Sequence, residues 1–345
     1  MITGKQNNMK FAFIIDSMSY NSYYVKNNTA YNLKTHKPYF DSLVSINANC
    51  WNNSMNYPWL FDGHYINWKE YEYKLPDLDL DVIFLTIERC LTREAEHPWI
   101  DINNIRKKYP NAKIVGYMKE VWMGGAFDYN DPRHQARIKF LNQCDVVAHN
   151  RPVINGRTGS SITDISSEIK VPMYFIAQPH NISYYYKHFG GDKDLAIYAY
   201  EPHRMQSKSI TGKFAEYIGK KYNIPVVYKT RPTDGGFHTP LHDFVSEWSK
   251  CAFHFNLDPI EYYPGNQCTQ VASTGCINIG GINDNHHILF PQTSTCDTDI
   301  LEKMFVTYLN NETARHNAIQ YAWQQLHAMF SFDAVRTQIE NIKYV

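Results

Sequence analysis

Residues 251–281 constrain the fold more than any other part of the chain. They run Cys251-Ala-Phe-His-Phe-Asn-Leu-Asp258, then Tyr263-Pro-Gly-Asn-Gln-Cys-Thr-Gln270, then Val271-Ala-Ser-Thr-Gly-Cys-Ile-Asn-Ile-Gly280. A short apolar run, a Gly-containing turn, a small-residue helix start bearing Gln270 and a second apolar run read as one strand–helix–strand unit. Strands joined this way lie parallel in one sheet with helices over both faces, and the loop leaving the carboxyl end of the first strand faces a ligand.

The same alternation recurs along the chain. Strands are predicted at 10–16, 81–87, 113–118, 144–149 and 173–177, with helices from Thr29 and over 102–109, the latter closed by Pro110. Gln178-Pro-His-Asn181 reads as a linker, because the cycle restarts with a strand at 194–200, a helix at 207–222, a strand at 224–228 and a helix at 241–250. A final helical region over 311–343 is long enough to pack back on the first domain. The expected layout is α/β throughout: a Rossmann-like domain over 1–180, a second over 181–325 that faces it across a cleft, and 326–345 returning to the first.

Composition narrows the function classes. The 345 residues carry 34 basic and 34 acidic side chains, so no overall field draws the chain to nucleic acid or to an anionic membrane. Seven cysteines, widely spaced and without a Cys-x-x-Cys pair, point to a reducing compartment. No apolar run approaches the roughly 20 residues that span a bilayer, and the expectation is a cytoplasmic monomer without a membrane partner. The phosphate-binding fingerprint of nicotinamide dehydrogenases, the Walker loop and the Gly-x-Ser-x-Gly elbow are all missing. His286-His287 and the pair His238 and His242 lack the Glu or Cys that would complete a zinc pattern, so no metal site is expected.

Three loops carry the candidate chemistry. Glu201-Pro-His-Arg-Met-Gln-Ser-Lys208 leads into a helix, and Arg204 and Lys208, four apart, share its first face, a ready cradle for a diphosphate. Lys229-Thr-Arg-Pro-Thr-Asp-Gly-Gly236 offers Arg231, Asp234 and Gly235 to a nucleotide base. Gln270 can hydrogen-bond ribose hydroxyls through its amide. In the first half, Glu120 follows the strand ending at Met118 and is the candidate general base, with Asp16 after the first strand and Asp128 after Gly124-Gly125 as the other two carboxylates.

On these residues the chain resembles the two-domain GT-B glycosyltransferases, and within them the DNA β-glucosyltransferase type of T-even phages. The resemblance implies a UDP-sugar donor as substrate, no obligatory cofactor, a divalent metal at most as a stimulant, and double-stranded DNA bearing hydroxymethylated pyrimidines as the acceptor. It assigns Arg204 and Lys208 to the donor diphosphate and Glu120, by strand order, to the place of the family's catalytic aspartate. Gln270 and Gln267 stand where the family carries an acidic and a basic residue. For a neutral chain, DNA contact then falls to a local patch of Lys107, Lys108, Arg133, Arg137 and Lys139, with Trp122, Phe127 and Tyr129 placed to wedge at a turned-out base.

Overall fold

The computed structural model describes residues 9–15, 63–67, 75–86, 100–118, 130, 132–150, 167–201, 210–230, 241–257 and 266–345. The chain divides into two compact units, Met1–Pro179 with Val335–Val345 and His180–Ala334. The predicted helix from Thr29 lies outside the described residues.

The first unit holds β1 (Phe11–Ile15), β2 (His64–Asn67), β3 (Val82–Thr86), α1 (Ile102–Lys108), β4 (Lys113–Met118), α2 (Pro132–Leu141), β5 (Val146–His149) and β6 (Met173–Phe175). All six strands run parallel in the order β2-β1-β3-β4-β5-β6. Period-two alternation divides the apolar residues between the two faces. Phe13 stacks on Phe84 at 4.4 Å and meets Tyr117 edge-on at 5.7 Å, while Ile14, Ile83, Leu85 and Ile114 pack with Ile102 and Ile105 of α1.

Asp101 caps the start of α1 by accepting from the backbone N–H groups of Asn103 and Asn104. At the other end Arg106 grips Asp145 with two N–H donors at 2.8 and 3.3 Å, and the Ile114 N–H joins the same carboxylate at 2.7 Å. Burial alone would raise the Asp145 carboxyl, but these bonds and the charges of Arg106 and Lys113 outweigh it and hold the group below its ordinary value. The C-terminal segment is tied to the same sheet, for Lys113 Nζ donates to the carbonyls of Lys343 at 2.8 Å and Val345 at 2.7 Å.

The second unit holds α3 (Ile182–Tyr186), β7 (Asp194–Glu201), α4 (Ile210–Tyr222), β8 (Val226–Thr230), α5 (Leu241–Trp248), β9 (Cys251–Phe255), α6 (Asn266–Ser273), β10 (Ile277–Ile279), α7 (Asp284–Leu289), α8 (Thr298–Asn310) and α9 (Glu312–Phe330), with α10 (Phe332–Asn341) following. Its sheet is parallel in the order β10-β9-β7-β8. Both faces are covered. Phe253 and Phe255 meet Phe305 of α8 at 4.8 and 5.7 Å, and Phe214 of α4 stacks on Phe255; on the opposite face Tyr198, Trp248, Val271 and Cys276 pack together.

Five elements escaped the sequence reading: β2, α2, α3, α7 and α8. In β2 only Ile66 of His64-Tyr-Ile-Asn67 brings a buried aliphatic side chain, too little pattern to register. The single helical region predicted over 311–343 is two helices. Ser331 divides them, its Oγ donating to the His327 carbonyl at 2.7 Å and accepting from the Ala334 N–H at 3.2 Å, so one hydroxyl closes α9 and opens α10.

The basic patch expected for DNA contact is corrected in part, for Lys107 and Lys139 are exposed but the other described members differ from the expectation. Arg137 is buried, and Lys108 is ion-paired to Asp77 at 3.1 Å. Lys107 and Lys108 end the helix that leads into the amino end of β4, the sheet edge opposite the one where ligands bind in parallel α/β sheets. The Arg133 side chain lies outside the described residues.

Gly275 ends α6 at φ +71°, and a Cβ there would meet the Phe189 carbonyl oxygen at 2.8 Å. The left-handed backbone alone costs an L-residue about 1–2 kcal/mol. Gly275→Ala is expected to lower stability by about 2 kcal/mol or more, read as a drop in the urea midpoint; an unchanged midpoint would contradict the assignment.

Candidate functional site

In the second unit the chain passes from β7 to β8 on one side, then crosses to β9 on the other side of β7. The carboxyl ends of β7 and β9 therefore flank the switch point where such sheets open a crevice. The connections leaving this edge are 202–209 into α4, 231–240 after β8, 256–265 into α6 and 280–283 into α7. All seven predicted donor-site residues belong to these connections or to α6. Arg204, Lys208, Arg231, Asp234 and Gly235 lie outside the described residues; Gln267 and Gln270 are described.

The crevice walls are fixed by hydrogen bonds. The Leu257 N–H, just past β9, donates to Oγ1 of Thr211 in the first turn of α4 at 3.0 Å, tying that helix start to the neighbouring strand end. Gln270 sits one turn beyond Gln267 on the same side of α6 and is partly exposed. The Ser273 hydroxyl donates to its carbonyl at 2.7 Å, so Ser273 Oγ must accept the His180 Nε2–H that lies 3.0 Å away.

A chain of buried polar side chains runs beneath. Asn256 Nδ2 donates to Gln267 Oε1 at 2.9 Å, and Gln267 Nε2 lies 3.0 Å from His254 Nε2. His254 Nδ1 meets Asn278 Oδ1 at 3.0 Å, Asn278 Nδ2 meets His286 Nδ1 at 2.9 Å, and His286 Nε2 meets Thr293 Oγ1 at 3.1 Å. Thr293 then donates to the Asn278 carbonyl at 2.6 Å. His254 and Asn278 are register partners on adjacent strands, as are His254 and Tyr198, so the polar row crosses the sheet with the Tyr198 ring 5.6 Å from the imidazole.

Gln267, predicted as a donor ligand, has both ends of its amide engaged in this chain. Sequence reading passed over His254, Asn256, Asn278 and Thr293. The available signal was a polar residue inside a fully buried apolar run, His254 within Cys-Ala-Phe-His-Phe and Asn278 within Cys-Ile-Asn-Ile, since such a group is retained only with partners. His286, noted in the sequence only for lacking a zinc pattern, is wholly buried.

In the first unit the switch point lies between β1 and β3. Asp16 directly follows β1, and Glu120 and Asp128 lie in the connection from β4 to α2; all three are outside the described residues, as are Trp122, Phe127 and Tyr129. Among the described residues no three His, Cys, Asp or Glu side chains gather to hold a metal ion. Nor, among them, is any helix long and apolar enough to cross a membrane.

No protein-family model matches the sequence, and no curated protein matches it significantly. Solved structures do. Anabaena Alr3699/HepE in complex with UDP superposes with a TM-score of 0.54 at 9% identity, over 98% of this chain and 100% of that one. An alpha-glucosyltransferase in complex with UDP and a 13-mer DNA containing an HMU base gives 0.53 at 11% identity, over 98% and 99%. A trehalose-6-phosphate protein from E. coli bound with UDP-2-fluoro glucose gives 0.57 at 10%, over 90% and 79%. The fold is GT-B. Two Rossmann-like units, as the sequence led one to expect, make up this GT-B chain.

Burial pushes the His254 imidazolium down to about 4, against the bond to Asn278, and His180 down to about 3. An unfolded histidine titrates near 6.5. Below that value the unfolded chain takes up protons that the folded chain cannot, so these residues erode stability as pH falls from about 7 toward 4. Each is expected to cost about 2 kcal/mol by pH 5. Urea midpoints at pH 7 and pH 5 check this, and equal midpoints would contradict it.

Proposed function

We propose that this protein is a glycosyltransferase that moves a sugar from a UDP-sugar to a hydroxyl acceptor, and that the acceptor is a hydroxymethylated pyrimidine in double-stranded DNA. The observation that carries the reading is the β7/β9 switch point, with Arg204 and Lys208 following β7 in sequence and the helix of Gln270 following β9. Support for the donor comes from GT-B neighbours that hold UDP or a UDP-sugar analogue. Support for the acceptor comes from the neighbour whose complex includes DNA with an HMU base.

In this reading Arg204 and Lys208 neutralise the diphosphate as the bond from the anomeric carbon to UDP breaks and its electron pair leaves with UDP. The acceptor hydroxyl oxygen forms the new bond to that carbon, and a carboxylate takes its proton. Glu120 is the proposed base, with Asp16 and Asp128 as the alternatives; Asp16 directly follows β1 in sequence. Attack opposite the leaving group inverts the anomeric centre. Arg231, Asp234 and Gly235 hold the base and Gln270 the ribose. The two cations meet the charge demand without an obligatory metal, and a divalent ion is at most a stimulant.

Gln267 and Gln270, neutral where the resembling family is charged, favour one second reading: a module that binds the nucleotide sugar without turning it over. Duplex DNA containing 5-hydroxymethylcytosine or 5-hydroxymethyluracil, incubated with a panel of UDP-sugars and digested to nucleosides, separates these readings by mass. A sugar increment of inverted configuration on the modified base is expected. Extension of an oligosaccharide or lipid-linked acceptor instead would replace DNA with a glycan. Donor binding with neither transfer nor donor hydrolysis would favour the binding module.

Arg204→Ala is expected to slow transfer about a hundredfold or more, the cost of about 3 kcal/mol of lost charge stabilisation. Transfer at the parent rate would remove Arg204 from the diphosphate.

A further inference from the structure

The polar chain beneath the switch point has a direction, and a backbone carbonyl sets it. The Asn278 carbonyl can only accept, so Thr293 must spend its one hydrogen there, or on the Phe290 carbonyl at 3.3 Å. Thr293 Oγ1 therefore accepts from His286 Nε2–H, which leaves His286 Nδ1 bare. Asn278 must present its NH2 to that nitrogen and its carbonyl to His254, so His254 carries its proton on Nδ1 and is bare at Nε2. Gln267 then donates to His254 and accepts from Asn256. Every orientation follows from the previous one, and the last places the Asn256 NH2 on Gln267 and leaves the Asn256 oxygen as the open end.

That oxygen is anomalous. Asn256 is 6% exposed, and its Oδ1 is shielded from solvent without a partner among the described residues. An unpaired buried amide oxygen is costly and calls for a donor. Asn256 sits one residue past the end of β9, at the switch point, beside Leu257 whose N–H is held by α4. An acceptor of fixed polarity there repels phosphate oxygens and requires a hydrogen from the ligand. Of the hydrogens a UDP-sugar offers, the uracil N–H goes, in the function proposed above, to the residues that follow β8, a strand two places from β9 in the sheet order and thus about 10 Å from it. Hydroxyls of the ribose or of the transferred sugar remain.

We infer that Asn256 Oδ1 accepts a hydrogen bond from a sugar hydroxyl of the bound nucleotide sugar, with Gln267 and His254 as positioning residues that fix its orientation. The inference rests on the UDP-sugar reading of this site. It moves Gln267 from ligand contact to the support behind the contact.

Calorimetric titration of the full chain with UDP and with UDP-glucose tests it. Asn256→Leu is expected to weaken binding about three- to tenfold, the worth of one such hydrogen bond. Weakened UDP binding assigns the hydroxyl to ribose; weakening confined to UDP-glucose assigns it to the transferred sugar. Parent affinity for both ligands overturns the inference and leaves the proposed function standing. A parent chain that binds neither removes the donor reading and this inference with it. Where Leu is not tolerated, Asn256→Ser, too short to reach the hydroxyl, serves in its place. Gln267→Met should weaken binding in the parent and add nothing in the Asn256 variant; additive losses would overturn the positioning role.

Discussion

Parallel strands covered on both faces leave no solvent for a side chain to turn to, and the second unit is built under that constraint. The wholly buried strands β9 and β10 are apolar because they must be, so each polar group on them has to find a partner inside the fold. His254 and Asn278 are the two exceptions in the β9 and β10 sequences, and side-chain contacts across the strands and to the helices above absorb them. The same contacts tie β9, β10, α6 and the turn around Thr293 into one assembly. What holds the sheet dry also holds the edge of the crevice in place.

The architecture was legible because its signals are local. Runs such as Phe11–Ile15, Val82–Thr86 and Cys251–Phe255 are short, apolar and bounded by polar turns, and they recur with helices between them; a parallel α/β sheet follows from that rhythm without knowledge of any contact. The elements that stayed hidden were those with little apolar content, such as β2, or those whose division depends on one hydroxyl, such as Ser331.

The site was legible at the level of loops and opaque at the level of atoms. Spacing could indicate that Gln267 and Gln270 share a face of one helix, but it could not indicate that one of them is engaged with His254, because the partner lies 13 residues away on a strand and its role depends on Asn278 and Thr293 in turn. Charge counting misled in the first unit for a related reason. Arg137 and Lys108 look available in a sequence, whereas a buried helix face and Asp77 have already claimed them.

The one-way order of the chain from Thr293 to Asn256 has a consequence for how this protein can change. Each link accepts on one side and donates on the other, so replacing a single member reverses or strands its neighbours rather than subtracting one bond. Positions 254, 256, 267, 278, 286 and 293 are therefore physically coupled: a change at one leaves a neighbour without its partner unless a second position changes with it.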